Sequence, residues 1–164
     1  MSINIKTIPL ALTYDDVVLV PQYSEINSRQ DIDLTTKISP QLTLKIPLIS
    51  TKMDKITGVD MAVAMGKLGG MGILPRFETA HEQANKVSDV KKTGVIVAAA
   101  VGVKEGFLDR AELLVNAGAA VIDIDVAHGH MLKTIEATKK IKAKFGNKIT
   151  LVAGIADTYE CAMD

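Results

Sequence analysis

The sequence contains little cysteine, few aromatic residues and no excess of charge of either sign. Its 164 residues include one cysteine, Cys161, and no tryptophan, and the aromatic residues together make up 4%. A single cysteine excludes an intramolecular disulfide and is typical of a protein from a reducing compartment. Hydrophobic residues still make up 48% of the chain. Aliphatic side chains must therefore fill the core, which is typical of parallel strands covered by helices.

Charge and hydrophobic runs exclude two further classes of protein. Nineteen basic and nineteen acidic residues cancel, whereas a nucleic-acid-binding protein normally carries a basic surplus. The longest apolar run, residues 94–103, is about half the length of a membrane span. The N-terminus has no apolar stretch typical of a signal peptide. The sequence therefore predicts a soluble, cytoplasmic protein that binds neither nucleic acid nor membranes.

Five short apolar segments, which start 24 to 29 residues apart, predict strands, and helical patterns lie between them. The segments are residues 46–50, 70–74, 95–101, 120–124 and 149–154. The helical stripes are Met61, Met65 and Leu68; Ala80, Ala84 and Val87; Phe107, Ala111 and Leu114; and Met131, Ile135, Thr138, Ile141 and Phe145. Thr79 and Glu82 predict a capping box, and the glycines at 69, 118 and 146 stand where helices should end.

This alternation predicts a parallel sheet with right-handed crossovers. Either an open doubly wound sheet or part of a (β/α)8 barrel satisfies it. A whole barrel needs at least ~200 residues, and residues 1–45 precede the first unit, so the periodicity favours the open sheet. Residues 11–29 are predicted to be an ordered lead-in that packs on the sheet or closes one end of a barrel.

In both architectures ligands bind at the carboxyl ends of the strands. Asp125, at the end of the fourth strand, can accept hydrogen bonds from a ribose diol or a carboxamide, or it can cap the next helix. Spacing alone favours the cap. His128 and His130 lack a third ligand at a recognisable spacing, so we predict no zinc site and favour a loop histidine bonded to backbone.

The end of the first strand offers a hydroxyl on Thr51 and a flexible apolar surface on Met53 that suits a planar base. The structural alternative is that Met53 fills the rim of the sheet and Asp54 caps a helix. Glycines in residues 69–72 lack the spacing of a dinucleotide-binding loop. Cys161 is predicted to be a core residue. The residues alone thus predict an α/β domain with a small-molecule site.

Five ordered segments together resemble the IMP dehydrogenase/GMP reductase family. They are LTYDDVVLVPQYSEINSR, IPLISTKMDKIT, LGGMGIL, AAAVGVKE and IDIDVAHGH. The resemblance implies a (β/α)8 TIM barrel, which overrules the preference for an open sheet. Residues 1–164 would be the N-terminal portion of a single catalytic domain, with a lead-in over 1–45 and about five β/α units over 46–164. No regulatory CBS insertion interrupts the series.

The resemblance also implies an activity. Family members transfer a hydride between NAD or NADP(H) and C2 of a purine 5′-monophosphate (IMP, XMP or GMP) through a covalent cysteine intermediate. Carried over by position, the substrate-binding residues are Thr51, Met53 and Gly154, and the cofactor-binding residues are Asp125, Val126 and Ala127. A homotetramer is implied by analogy, as is a monovalent-cation site in the full-length family. No metal ligand is assigned to this chain.

The sequence departs from the family pattern in several places. The catalytic cysteine segment, the later phosphate-binding loops and the mobile flap of the family lie beyond Asp164, so no catalytic residue is assigned here. Pro75 replaces a usual histidine and Ile155 a usual asparagine. Lys52 and Lys55 stand where small or hydroxylated residues are usual. The motifs do not separate dehydrogenase from reductase.

Three hypotheses follow. The chain is a portion of a purine-nucleotide oxidoreductase, or a short, catalytically dead relative that acts as a nucleotide-binding or assembly module, or an unrelated flavodoxin-like binding module. The five ordered motifs favour the first. That hypothesis requires the ends of the first and fourth strands to face one common hollow.

Overall fold

A computed structural model describes residues 10–164 of the chain. The chain divides into two compact units, one that ends at Asp33 and one that spans Leu34–Asp164. The first contains two short 3-10 helices, Tyr14–Asp16 and Arg29–Asp31. Part of the segment on which the signal-peptide argument rests, residues 1–9, lies outside the described residues. That residues 11–29 pack on the sheet stays a prediction.

The second unit alternates strands with helices. The strands are β1 (Thr36–Ser39), β2 (Leu42–Leu44), β3 (Ile49–Ser50), β4 (Met71–Leu74), β5 (Val97–Val101), β6 (Val121–Ile124) and β7 (Thr150–Ala153). The helices are α1 (Val59–Lys67), α2 (Ala80–Lys92), α3 (Phe107–Asn116), α4 (Leu132–Phe145) and α5 (Tyr159–Met163). All five predicted strands are therefore present, although the first is only two residues long.

The five predicted strands form one parallel sheet in the order β3-β4-β5-β6-β7. Every strand thus pairs with the next one along the chain. Crossovers that all run over the same face of the sheet produce this order. β1 and β2 form a separate antiparallel hairpin. The α/β class with a parallel sheet is confirmed.

The two faces of the sheet are covered by different elements. Buried residues of α1 to α4 form one apolar cluster with alternate residues of the strands, among them Ala62, Val87, Leu114, Ile141, Leu74 and Ile122. The intervening strand residues form a second cluster with the hairpin, and its members include Leu42, Leu44, Met71, Ile73, Ala98 and Val121. The four long helices therefore cover one face and the hairpin covers the other. A doubly wound sheet instead has helices on both faces.

Helix α1 lies very close to β4. A Cβ atom on Gly72 would lie 2.6 Å from Cα of Ala62, so the strand has no room for a side chain there. The helix occurs where it was predicted, but its packed face is rotated. Met61 and Leu68 of the predicted stripe are 41% and 69% exposed, whereas Ala62 is buried.

The predicted helix ends are confirmed. Thr79 and Glu82 form the capping box of α2, with the Thr79 N–H 3.0 Å from Glu82 Oε2 and the Glu82 N–H 3.2 Å from Thr79 Oγ1. Gly69, Gly118 and Gly146 follow α1, α3 and α4 with φ of 93°, 111° and 57°, which glycine adopts without strain. Within residues 10–164, no helix combines the length and apolar character needed to cross a bilayer.

Candidate functional site

Four charged side chains meet where β3, β4 and β6 end. Lys52 Nζ lies 2.7 Å from Asp123 Oδ2 and 3.7 Å from Asp125 Oδ1. Arg76 Nε donates a hydrogen bond of 3.0 Å to Asp125 Oδ2. We call Lys52, Arg76, Asp123 and Asp125 the rim cluster. Cations and carboxylates alternate in space within this cluster. Its short contacts therefore join opposite charges.

The contact between Lys52 and Asp123 joins two strand ends that are not neighbours in the sheet. Lys52 follows β3 and Asp123 lies on β6, with β4 and β5 between them. In a flat sheet these strands would be about 14 Å apart, because neighbouring strands are spaced by ~4.8 Å. The turn that carries Lys52 therefore lies close to the end of β6, and the ends of the first and fourth predicted strands are adjacent in the fold.

Burial perturbs one member of the rim cluster. Asp123 is 1% exposed, and this burial raises the pKa of its carboxyl above the usual 3.8, whereas the hydrogen bond and charge of Lys52 act in the opposite direction. A carboxylate so far from water is costly to ionise unless a cation accompanies it. Lys52 therefore offsets part of the free-energy cost of ionising the buried Asp123 carboxyl.

The predicted nucleotide-binding residues after β3 lie on a tight turn. The Thr57 hydroxyl donates to the carbonyl of Thr51 and lies 3.0 Å from Ser50 Oγ, whose hydroxyl can donate to it. The N–H groups of Ile56 and Thr57 both donate to the carbonyl of Met53, at 2.9 and 3.1 Å. Thr51 is exposed, and so is Met53, by 57%. The turn thus presents the Met53 side chain outward from a fixed backbone.

The two capping interpretations are wrong. The N-cap of α4 is Met131, without a side-chain bond, and α1 begins after Gly58, likewise without one. Asp125 and Asp54 therefore cap neither helix. Asp125 instead joins the rim cluster, and its N–H donates to the carbonyl of Val101 at 2.8 Å.

Of the remaining cofactor-binding candidates, Val126 is half-buried against the apolar cluster under the helices and Ala127 is exposed. His128 is exposed, and His130 Nε2 lies 2.7 Å from Asp164 Oδ2. His130 is therefore paired with a carboxylate and not with backbone as predicted. Among the described residues, no three His, Cys, Asp or Glu side chains are placed to hold a metal ion.

Gly154 follows β7 directly, at the level of Asp125 after the neighbouring strand β6. It lines a cavity of about 330 Å³ together with Gly129, Ile155 and Cys161. A Cβ atom on Gly129 would lie 1.9 Å from the Ile155 carbonyl oxygen, so the loops after β6 and β7 touch here. A Cβ atom on Gly154 would meet nothing within 4 Å. Cys161 is half-buried beside this cavity, whereas the sequence predicted a core position.

A buried glutamine supports the loop that carries Arg76. Gln83 is fully buried on α2 and donates to the carbonyl of Ala100 at 2.9 Å. Its Oε1 accepts a 2.7 Å bond from Arg110, which also donates to the carbonyl of Glu78 at 2.9 Å. Burial, and then the charge of Arg76, lower the pKa of Arg110. Arg76 and Arg110 line a cavity of about 580 Å³ between the first turns of α2 and α3.

Sequence reasoning missed the roles of Lys52, Arg76, Asp123 and Gln83. One signal was available: a lone carboxylate inside a buried strand requires a cation. The identity of that cation could not be read from spacing, because the partner follows a strand three positions away in the sheet.

Comparison with known proteins decides the family. The IMP dehydrogenase / GMP reductase domain matches residues 11–164. The chain belongs to this family. It is 35% identical to the inosine-5′-monophosphate dehydrogenase of Cryptosporidium parvum over 202 aligned positions, which cover 97% of the chain and 49% of the relative. The family resemblance of the five segments is therefore confirmed.

Shorter matches include both branches of the family. The chain is 54% identical over 86 residues to the inosine-5′-monophosphate dehydrogenase of Nitrosopumilus maritimus, and 42% identical over 89 residues to the GMP reductase of Leishmania donovani. Each of these matches covers 18% of the relative. The chain spans at most about half the length of these family members.

Proposed function

We propose that the chain is part of a purine-nucleotide oxidoreductase, which transfers a hydride between NAD or NADP(H) and C2 of a purine 5′-monophosphate. One observation carries the proposal: Lys52 Nζ lies 3.7 Å from Asp125 Oδ1, so the turn with Met53 and the end of β6 are adjacent. Two ligands that react with each other need such adjacent sites. Family membership indicates which ligands these are.

The sheet is proposed to be five of the eight strands of a (β/α)8 barrel, with no CBS domain between the units. The sequential strand order, the helices on one face and the contact that joins Lys52 to Asp123 all support this. The carboxyl ends of the strands are then the ligand-binding end of the barrel.

Each candidate residue has a role in this proposal. Met53 presents an exposed apolar surface to the purine, and Thr51 offers its hydroxyl to the nucleotide. Gly154 leaves open space beneath the nucleotide. Asp125, with Val126 and Ala127, faces the nicotinamide riboside.

The rim cluster is compatible with a nicotinamide cofactor, which when bound would accept or donate the hydride. Each Asp125 oxygen faces one cation and keeps a lone pair for a ligand hydroxyl. The carboxylate can therefore accept hydrogen bonds from a ribose diol while its charge stays compensated.

The nucleophilic cysteine is proposed to come from a region not included in these 164 residues. Cys161 lies on α5, half-buried beside the cavity with Gly154, and we assign it no catalytic role. IMP, XMP or GMP is the proposed substrate and a homotetramer the proposed assembly. The cytoplasm is the proposed location.

Calorimetric titration of two ligands into two variants tests the proposal. Met53→Ala should weaken the binding of IMP and GMP by roughly fivefold or more, because an apolar contact of this size is worth 1 kcal/mol or more. It should leave nicotinamide mononucleotide binding unchanged. Asp125→Asn should weaken nicotinamide mononucleotide binding and spare the purine nucleotides. The controls are Met61→Ala and Asp109→Asn, which alter exposed residues of α1 and α3.

Two results would contradict the proposal. One is a wild-type chain that binds neither IMP, GMP nor nicotinamide mononucleotide. The other is equal binding of all ligands by the wild type, Met53→Ala and Asp125→Asn.

A further inference from the structure

The Asp125 carboxylate is held from two sides. Its Oδ2 accepts a 3.0 Å hydrogen bond from Arg76, which follows β4, and its Oδ1 lies 3.7 Å from Lys52, which follows β3. The backbone of Asp125 is fixed separately by the bond to Val101. The orientation of the carboxylate therefore depends on the two cations.

Lys52 is itself held by a residue with little freedom to move. Asp123 lies within β6, paired with neighbouring strands on both sides, and is 1% exposed. Lys52 is the only cation within ion-pair distance of Asp123 in the part of the chain that the structure describes. The ammonium is 2.7 Å from this carboxylate and is 1.0 Å farther from Asp125. The Asp123 carboxylate thus fixes the position of the Lys52 ammonium group.

We propose that Lys52 is a positioning residue for Asp125 and that Asp123 is its anchor. This inference rests on the proposed function, in which Asp125 faces the nicotinamide riboside. Cations on opposite oxygens resist rotation of the carboxylate, and they leave one lone pair on each oxygen for the ligand. Without Lys52, the carboxylate is free to turn toward Arg76, whose guanidinium offers more than one donor.

A double variant separates positioning from folding. Lys52→Met alone leaves the Asp123 carboxylate buried without a partner, which destabilises the fold whatever else Lys52 does. In Lys52→Met/Asp123→Leu both charges are gone, and exchange of a buried ion pair for apolar residues is often neutral for stability. The double variant should therefore melt near the wild-type temperature, while Asp125 still lacks its second cation.

We expect the double variant to bind nicotinamide mononucleotide about tenfold more weakly than the wild type, since a charged hydrogen bond that is no longer well aligned costs about 1.4 kcal/mol or more. Lys52→Arg, which keeps the cation, should retain most of the affinity. Lys55→Met is the matched control, because Lys55 is an exposed lysine on the same turn and should not matter. Calorimetry gives the affinities and thermal unfolding gives the stabilities.

Wild-type affinity in a well-folded double variant would overturn the inference. Crystal structures of the wild type and the double variant provide a readout without ligand, in which the Asp125 carboxylate should rotate or shift. If the carboxylate instead keeps its place on Arg76, the inference fails, whether or not the ligand binds. If the wild type does not bind nicotinamide mononucleotide but the carboxylate moves, the proposed function fails and the positioning role stands. If the double variant does not fold, Lys52→Arg tests the inference instead. Loss of affinity in Lys52→Arg, together with an Asp125 carboxylate that has not moved, would overturn the inference.

Discussion

At the scale of single residues, Asp123 is the most unusual position of the chain. It is a carboxylate in a buried strand, with Lys52 as its partner. Thr79 and Glu82 illustrate the opposite case. Their capping box was predicted because the two residues lie three positions apart and the interaction is local. The pair of Lys52 and Asp123 joins segments that meet only once the sheet has formed, so no local pattern could predict it.

Burial of Asp123 predicts a pH effect. Its pKa in the folded chain is raised above 3.8, so as pH rises through 3.8 the unfolded chain loses this proton before the folded chain does. The free energy of unfolding should therefore fall with rising pH until the folded carboxyl also ionises. Asp123→Asn has no such proton. We expect the stability of the wild type relative to this variant to decrease as pH rises from about 3 until the folded Asp123 carboxyl has ionised, as measured by urea unfolding.

A stability difference between these two proteins that stays constant, or that grows with pH, would contradict this explanation. A constant difference would mean that burial and Lys52 cancel at Asp123. A difference that grows with pH would mean that Lys52 outweighs burial and that the fold favours the ionised carboxylate.

At the scale of elements, periodicity identified the strands and helices but not all of their packed faces. β3 is shorter than predicted, although the bonds from Ile46 N–H to the Gly69 carbonyl and from Met71 N–H to the Leu48 carbonyl continue the pairing before it. In α1 the large side chains Met61 and Leu68 are exposed while small residues face the sheet. A stripe of large apolar residues predicts the core face only when the helix is not held close to a strand.

The close approach of α1 to β4 is testable. Gly72→Ala should destabilise the fold by about 1–3 kcal/mol, because the new methyl group must displace the helix or the strand. Its Cβ would lie 2.6 Å from Cα and 2.9 Å from Cβ of Ala62. Gly58→Ala is the control, since its Cβ would meet nothing within 4 Å. Urea unfolding gives both values, and an equal loss in the two variants would show that space at Gly72 is not limiting.

At the scale of the whole molecule, the sequence predicted which end of the sheet carries the site but not how its parts meet. The rule that ligands bind at the carboxyl ends of parallel strands identified the segments with Met53 and Asp125. The periodicity did not predict that the turn after β3 reaches the end of β6, because strand spacing along the chain does not say which loops meet. The contact between Lys52 and Asp123 supplies that information.

The central claim is that the turn after β3 and the end of β6 form one site for two ligands. Nuclear magnetic resonance of the isotope-labelled chain, titrated first with IMP and then with nicotinamide mononucleotide, tests it most directly. IMP should shift the amide signals of Thr51 and Met53, and nicotinamide mononucleotide those of Asp125 to Ala127, both in a saturable manner. Signals that do not move at saturating ligand, or that move only on the outer faces of α1 to α4, would contradict the claim.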